Sequence, residues 1–181
     1  MTESGEFPTK HLVGKELLES LKPNTIIINA GRGAVISNKA LLEFLKARNS
    51  IKVALDVWEN EPNIDLELLD LVDIGTPHIA GNTIEGKLRG TQMLHKAFKT
   101  WCGFDERITP RNQIKQDFEV GNFLYDELSH VCLNGYDIRV DNKLLKKTFK
   151  SRENRVKAGE LFDLLRKNYR KRNEYLHTYM M

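Results

Sequence analysis

The sequence predicts an α/β protein, with a doubly wound parallel sheet in residues 1–104 and a smaller α+β domain in residues 105–181. Three short apolar runs, which we expect to be β-strands, alternate with segments whose apolar residues recur at helical spacing. The run over residues 25–29 is rich in β-branched residues and does not alternate between apolar and polar, which is typical of a strand buried on both faces. The links between them are short, so a parallel sheet covered by helices is favoured over an all-α or sandwich fold.

The elements of the first domain follow in order along the chain. A helix over residues 15–23, stopped by Pro23, leads to a strand over residues 25–29. Ser37 is expected to cap a second helix over residues 38–48. The remaining predicted elements of this domain are a strand at 51–57, a short helix at 66–69, a strand at 71–74 and a long helix at 84–101.

The smaller domain begins where this rhythm changes, around residues 103–110. Its predicted elements are strands over residues 114–120 and 136–140, a helix between them over 123–133 and a closing helix over 155–175. Residues 143–172 hold 12 Lys and Arg against 3 Asp and Glu. This excess leaves two interpretations open, a nucleic-acid or other acidic partner, or the more common solvated helical face. The segment lacks interleaved exposed aromatic residues and the spacing of known motifs, which favours the second interpretation and no nucleic-acid partner.

The composition is ordinary for a soluble globular protein, with 40% hydrophobic and 29% charged residues and a net charge of +3. No apolar stretch approaches the roughly 20 residues of a membrane helix, and the first residues lack the features of a secretory signal. Cys102 and Cys132 have no metal-ligand spacing and fit free thiols in a reducing compartment. We therefore expect a cytoplasmic protein with no bound metal and no membrane partner.

The sequence holds no strand that ends in the G-x-G-x-x-G turn of a dinucleotide-binding fold. The nearest glycine pair, in Gly31-Arg32-Gly33, follows a strand but lacks the third glycine, so a tight turn is the simpler interpretation. The strand over residues 25–29 has the pattern of a central strand, yet too few strands follow to pair both of its edges. We therefore expect the chain to be truncated at its N-terminus or to pair with a separate polypeptide.

Three segments after the predicted strands, at residues 29–36, 55–62 and 76–81, each contain one residue with a functional as well as a structural interpretation. These residues are Arg32, Glu61 and His78, at intervals of 29 and 17 residues. Arginine presents a planar fork of donors that matches a carboxylate, and histidine exchanges protons near neutral pH. Taken singly, Arg32 also fits a surface turn, and Glu61 fits a solvated loop carboxylate. His78 also fits a half-buried histidine with ordinary partners, and Asp56 fits a cap of the loop after its strand.

Together and in this order, the segments at residues 29–36, 55–62 and 76–81 resemble the late motifs of the D-2-hydroxyacid dehydrogenase family. The resemblance covers nearly the whole chain. The short interval before His78 and the stretch over residues 162–169 are similar to the erythronate-4-phosphate dehydrogenase branch of that family. The resemblance implies the second half of a Rossmann-type sheet, a small C-terminal dimerisation domain, NAD as cofactor and a homodimer. The implied reaction is oxidation of 4-phospho-D-erythronate to its 2-oxo acid, a step towards pyridoxal phosphate.

The resemblance also implies a role for each site residue. Arg32 would hold the substrate carboxylate and polarise the C2 oxygen, His78 would take the proton from the C2 hydroxyl, and Glu61 would orient the histidine ring. The implied cofactor-binding residues are Ala30, Gly31, Arg32, Asp56 and Gly81, and Asp56 would meet the nicotinamide carboxamide. Asn82 stands where an aromatic residue is expected in this branch, which leaves the contact to the far end of the substrate open.

The sequence contains neither the N-terminal substrate domain nor the glycine-rich turn of that family. We therefore expect the isolated chain to have no measurable turnover, because catalysis requires substrate and cofactor to be held together. The alternative is a non-catalytic dimerisation module that remains after loss of the enzyme function. A monomer in solution would count against that alternative.

Overall fold

The computed structural model describes residues 2–47, 50–104, 129, 133 and 135–174. The chain divides into two compact units, the first made of Met1–Ala80 with Ile138–Tyr169 and the second of Gly81–Asp137 with Arg170–Met181. The predicted division into residues 1–104 and 105–181 stays a prediction. The strand predicted over residues 114–120 and nearly all of the helix predicted over residues 123–133 lie outside the described residues.

The first unit contains a three-stranded parallel sheet in the order β1-β2-β3. Its strands are β1 (Ile26–Asn29), β2 (Lys52–Leu55) and β3 (Ile74–Gly75). Asn29, the last residue of β1, pairs with Leu55, the last residue of β2, and Leu55 pairs with Gly75, the last residue of β3. The three strands therefore end at the same edge of the sheet. The predicted α/β fold with a parallel sheet is confirmed, although β3 begins only at the last residue of its predicted range.

One helix before β1 and two helices between the strands pack against the sheet. They are α1 (Lys15–Glu19), α2 (Asn38–Ala47) and α3 (Leu66–Leu71). The Ser37 side chain accepts a hydrogen bond from the Ala40 N–H (3.3 Å), which confirms Ser37 as the cap of α2. The buried side chains of these elements form one core, which includes Leu18, Leu41, Phe44, Val53, Leu55, Leu68 and Leu69.

One face of β1 is open to solvent. Side chains alternate along a strand, and Ile27 packs against the core while Ile26 and Ile28 are 68% and 73% exposed. The prediction that this strand is buried on both faces is therefore wrong for the described chain. Isoleucine has high strand propensity whichever face is covered, so the apolar run alone does not report a second covering layer.

Helix α5 (Ile138–Thr148) covers the outer edge of β3. The Asn142 side chain accepts a hydrogen bond from the Gly75 N–H (2.9 Å), and Lys146 Nζ donates one to the Val72 carbonyl (2.5 Å). Burial lowers the pKa of the Lys146 ammonium below its ordinary value, against the attraction of two nearby aspartates. Side chains of a helix thus close this edge of the sheet.

The predicted strand over residues 136–140 is wrong, because α5 begins at Ile138. Three buried residues, Asp141, Leu145 and Phe149, recur every four residues along this segment. That helical spacing outweighs the short apolar alternation before it. The described residues of the predicted α+β domain are accordingly helical or irregular.

Two helices take the place of the predicted closing helix over residues 155–175. They are α6 (Arg152–Val156) and α7 (Ala158–Lys167), and Lys157 separates them with φ −102° and ψ 26°. Phe162 on α7 is fully buried in the core of the first unit. Leu161 and Leu165 pack against the same core, whereas Leu164 is exposed.

The long helix predicted over residues 84–101 is confirmed in the second unit as α4 (Ile84–Cys102). The Thr83 side chain caps it by accepting a hydrogen bond from the Gly86 N–H (3.0 Å). Gly103 ends it in a left-handed conformation with φ 69°, which favours glycine. Within the described ranges, no helix has the length and apolar character that a membrane crossing requires.

Candidate active site

Three loops leave the carboxyl edge of the sheet side by side. The strands are parallel and their last residues are paired, so the loops that follow start next to one another. Arg32 follows β1, Glu61 follows β2 and His78 follows β3. In open α/β sheets, ligands bind at this edge. The fold thus brings the loops of the three predicted catalytic residues to one place.

His78 and Glu61 are in direct contact. His78 Nδ1 lies 2.7 Å from Glu61 Oε2, and Glu61 Oε1 accepts a hydrogen bond from the Trp58 N–H (2.7 Å). The side chains of His78 and Glu61 are 33% and 18% exposed, so a ligand can reach the histidine while the glutamate is sheltered. A carboxylate on one ring nitrogen orients the imidazole and leaves Nε2 to exchange a proton with a substrate. This is the geometry of a general acid–base pair.

The backbone of His78 adopts an unusual conformation. Its φ is 55°, in the left-handed region that residues other than glycine rarely occupy. The His78 N–H donates a hydrogen bond to the Asp56 carbonyl (2.8 Å). Such conformations persist where surrounding contacts fix them, and they are concentrated at functional sites.

Asp56 anchors the loop that carries His78. Its carboxylate accepts hydrogen bonds from the Thr76 hydroxyl (2.6 Å) and from the N–H groups of Ile79 (2.8 Å) and Ala80 (2.9 Å). The residue is buried, so water competes little for these charge-assisted bonds. The contact to a nicotinamide carboxamide that the sequence predicts for Asp56 stays a prediction, and the structure adds this role in fixing the loop.

The turn that carries Arg32 is fixed by the last residue of β1. Asn29 Oδ1 accepts a hydrogen bond from the Gly31 N–H (3.2 Å), and Asn29 Nδ2 donates one to the Arg32 carbonyl (3.0 Å). The Arg32 guanidinium donates to the Gly31 carbonyl (2.8 Å), and the residue is exposed. A guanidinium has five N–H donors, so one such bond leaves enough of them to bind a carboxylate in a bidentate way.

Gly33 brings this turn against the loop of Glu61. A Cβ atom built on Gly33 would lie 2.0 Å from the Trp58 carbonyl carbon and oxygen, so only glycine allows the two backbones to come this close. The Trp58 ring is buried, and its Nε1–H donates to the Thr76 carbonyl (3.0 Å). The sequence interpretation missed Trp58, although a large aromatic residue directly before an acidic loop is a signal of a buried anchor.

The sequence interpretation also assigned no role to His11, which lies beside the same loop. His11 Nε2 is 2.6 Å from Glu59 Oε1, and Glu59 Oε2 accepts a hydrogen bond from the Asn38 N–H (3.1 Å). Burial raises the pKa of the Glu59 carboxyl, but the hydrogen bonds from His11 and Asn38 outweigh it and hold that pKa below its ordinary value. Glu59 is therefore a charged carboxylate near neutral pH.

The other predicted site residues lie at two places in the fold. Ala30 and Gly31 are exposed directly after β1. Gly81 is exposed and Asn82 is half-buried, and both belong to the second compact unit. The cofactor and substrate contacts predicted for these four residues stay predictions. Among the residues that the structure describes, no group of three or more His, Cys, Asp or Glu side chains is arranged to hold a metal ion.

Comparison with known families defines the class of protein. The NAD-binding domain of D-isomer specific 2-hydroxyacid dehydrogenases matches residues 6–80, and a domain of unknown function (DUF3410) matches residues 109–179. Residues 6–80 are therefore similar to the NAD-binding domains of that dehydrogenase family. The predicted family, its Rossmann-type fold and the predicted cofactor NAD are confirmed by this match.

Nearly the whole chain is similar to erythronate-4-phosphate dehydrogenases. It is 42% identical to the enzyme of Photorhabdus laumondii, over 97% of this chain and 46% of that protein. It is 39% identical to the enzyme of Cellvibrio japonicus, over 100% of this chain and 50% of that protein. Among solved structures, the apo form of Rhodotorula graminis D-mandelate dehydrogenase matches at 30% identity with a TM-score of 0.48, over 62% of this chain and 34% of that one. The predicted resemblance is confirmed, and the chain spans about half the length of the curated relatives it matches.

Proposed function

We propose that this protein takes part in the NAD-dependent oxidation of 4-phospho-D-erythronate to its 2-oxo acid, a step towards pyridoxal phosphate. The observation that carries the proposal is the 2.7 Å contact between His78 Nδ1 and Glu61 Oε2, in loops at the carboxyl edge of a parallel sheet. The similarity to erythronate-4-phosphate dehydrogenases over 97% of the chain supports this substrate over other 2-hydroxy acids.

In this reaction, His78 accepts the proton of the C2 hydroxyl while the C2 hydrogen leaves as hydride. Glu61 occupies Nδ1, so Nε2 is the atom that receives the proton. The charge that develops on the imidazole is stabilised by the Glu61 carboxylate, which the Trp58 N–H holds in place. General acid–base catalysis of this kind contributes about 10²–10⁴-fold to the rate.

Arg32 binds the carboxylate of the substrate and polarises the C2 oxygen. Its exposed guanidinium lies on a turn that Asn29 fixes, so the donors are presented from a defined backbone. A planar fork of donors orients a carboxylate better than a lysine ammonium would, because two parallel hydrogen bonds define a direction. This orientation places the C2 hydroxyl towards His78.

The residues after β1 fit the nicotinamide end of NAD. Ala30 and Gly31 are small and exposed, and the nearest atom to a Cβ built on Gly31 would be 3.7 Å away, so the backbone is accessible to a ligand. NAD supplies the hydride acceptor when it is bound. In this proposal Asp56 meets the nicotinamide carboxamide, and Gly81 allows a further approach of backbone to cofactor.

The proposal is tested by following NADH fluorescence in the presence of NAD and 4-phospho-D-erythronate. One sample is the purified chain, from which we expect no turnover. The second is the Photorhabdus laumondii enzyme with this chain in place of its matching segment, from which we expect turnover. Replacement of the proposed base in this chimera, His78→Ala, is expected to lower turnover by about 10²–10⁴-fold.

The matched control for this experiment is His95→Ala. His95 is an exposed histidine on α4, so its replacement is expected to leave turnover unchanged. A folded chimera that keeps its turnover in His78→Ala would contradict the proposed mechanism. Faster oxidation of unphosphorylated D-erythronate than of 4-phospho-D-erythronate would contradict the proposed substrate.

We further propose that the protein acts as a homodimer. The support for this is the resemblance of residues 162–169 to the dimerisation domain of the erythronate-4-phosphate dehydrogenase branch. Light scattering at micromolar concentration measures the oligomeric state directly. A dimeric mass is expected, and a monomer would contradict the proposal.

A further inference from the structure

His11 connects the segment before α1 to two loops of the candidate site. Its Nε2 lies 2.6 Å from Glu59 Oε1, and its N–H donates to the Ala34 carbonyl (2.7 Å) in the turn after Arg32. The φ of His11 is 54°, a left-handed conformation that disfavours residues other than glycine. Backbone and side chain are thus both held, which indicates that the surrounding contacts fix the position of this residue.

Glu59 uses its second oxygen to hold the start of α2. Glu59 Oε2 accepts a hydrogen bond from the Asn38 N–H at 3.1 Å. The Glu59 side chain is 18% exposed and the His11 side chain is 41% exposed, so water competes less for the Asn38 contact than for the His11 contact. One carboxylate therefore ties together the His11 segment, the first residue of α2 and the loop that leads to Glu61.

The loop from Trp58 to Glu61 is fixed at both of its ends. Near its start, Glu59 makes the contacts just described. At its end, Glu61 Oε1 accepts the Trp58 N–H and Glu61 Oε2 meets His78 Nδ1, both at 2.7 Å. The turn after β1 packs directly on the peptide between Trp58 and Glu59, because Gly33 has no Cβ. A shift of Glu59 would therefore move both the acid–base pair and the arginine turn.

The charges around the His11–Glu59 contact favour it. Lys10 attracts Glu59 and is itself bonded to Glu3 at 2.6 Å. The pKa of the Glu59 carboxyl lies below its ordinary value, although burial opposes this. A charged carboxylate therefore faces the His11 ring across the neutral pH range.

We propose that His11 and Glu59 are positioning residues, which hold the Glu61 loop against the Arg32 turn. This role rests on the function proposed above, in which Arg32, Glu61 and His78 act on the substrate. His11 and Glu59 act only through those residues. Loss of their contact frees the loop and lowers the fraction of molecules in which the His78 ring is oriented for proton transfer.

Nuclear magnetic resonance of the purified chain tests this proposal without turnover. Amide hydrogen exchange at Trp58 reports the N–H that binds Glu61, and the ¹⁵N shifts of the His78 ring report the contact at Nδ1. In His11→Ala we expect Trp58 exchange to become about fivefold faster, the order for loss of one partly exposed ion pair, and the ring shifts to move. In His11→Gln, whose amide can donate from the position of Nε2, we expect both signals to return towards those of the unchanged chain.

Unchanged Trp58 exchange and unchanged His78 shifts in a folded His11→Ala variant would overturn the proposal, even with a lower melting temperature. If that variant does not fold, Glu59→Gln provides the same test. Its amide oxygen can still accept the Asn38 N–H, whereas the charged contact to His11 is lost, so the same two changes are expected. Their absence would overturn the proposal in the same way.

His95→Ala is the control for these spectra, because this exposed histidine on α4 has no place in the network. It is expected to leave Trp58 exchange and the His78 shifts unchanged, and changes as large as those of His11→Ala would overturn the proposal. None of these readouts depends on catalysis. An inactive chimera would therefore contradict the proposed reaction, whereas the spectra of the purified chain would still test the positioning role of His11 and Glu59.

Discussion

Replacement of Asp56 by Asn tests how the His78 loop is held. The buried carboxylate accepts hydrogen bonds from the Thr76 hydroxyl and from the N–H groups of Ile79 and Ala80. In its better orientation, an Asn side chain keeps an oxygen for two of these donors and turns its NH₂ group towards the third. Loss of one charge-assisted hydrogen bond in a buried site costs about 2 kcal/mol. For a chain of 181 residues, this lowers the melting temperature by about 4–8 °C.

Thermal unfolding followed by circular dichroism measures this change, with Asp65→Asn as the matched control. Asp65 also accepts two backbone N–H groups, at the start of α3, but Asn caps a helix as well as Asp does. The control is therefore expected to shift the melting temperature by about 1 °C or less. Equal shifts in the two variants, or no shift in Asp56→Asn, would refute the reasoning that Asp56 anchors the loop.

Packing, pH dependence and surface exposure each give a further testable outcome. Gly33→Ala is expected to cost about 2 kcal/mol, because its Cβ would meet the Trp58 backbone at 2.0 Å. Gly90→Ala, in open space on α4, is expected to stabilise by about 0.5 kcal/mol, and equal effects of the two variants in chemical denaturation would contradict the close packing. Burial raises the pKa of the Asp73 carboxyl, but hydrogen bonds from β2 outweigh burial and hold that pKa below its ordinary value. The stabilisation of the fold by Asp73 is therefore full above the unfolded-state pKa and is lost as pH falls through the folded-state pKa. The melting temperature of Asp73→Asn should therefore be lower than that of the unchanged chain at pH 7, and the two should converge as pH falls below the ordinary aspartate pKa of about 3.9. A difference in melting temperature that does not depend on pH would count against this reasoning. Ile28→Lys is expected to reduce aggregation at rising protein concentration, because Ile28 is 73% exposed on β1. Light scattering equal to that of the unchanged chain would contradict this expectation.

Most elements of the first unit could be predicted because their signals are local. Ser37 accepts the Ala40 N–H as an N-cap does, although the helix predicted up to Pro23 ends earlier, at Glu19. The first two apolar runs contain β1 and β2, whereas β3 overlaps its predicted range only at Ile74. Parallel strands with polar segments after them then imply a site at the carboxyl edge of the sheet.

The errors have causes outside the local sequence. Ile26 and Ile28 are apolar, and whether they are buried depends on a layer that the strand itself does not encode. The segment at residues 136–140 is too short to separate strand from helix, and the buried spacing of α5 becomes visible only further along the chain.

The candidate site shows the same division between local and distant contacts. Arg32, Glu61 and His78 could be predicted from their motifs and intervals, and the structure adds the contact between His78 and Glu61. His11 could not be predicted, because its partner Glu59 is 48 residues away and no spacing rule connects them. Contacts of this kind are set by how the loops pack.

A double-mutant cycle of Glu61 and His78 in the chimera tests whether these residues act as one acid–base pair. Turnover with NAD and 4-phospho-D-erythronate is measured for Glu61→Gln, for His78→Ala and for the double variant. Because Glu61→Gln keeps an oxygen for the Trp58 N–H and loses only the charged contact to the His78 ring, the double variant should lose no more than His78→Ala alone, about 10²–10⁴-fold. If the two losses of turnover multiply in the double variant, as they do for independent residues, the account of Glu61 and His78 as one acid–base pair is contradicted.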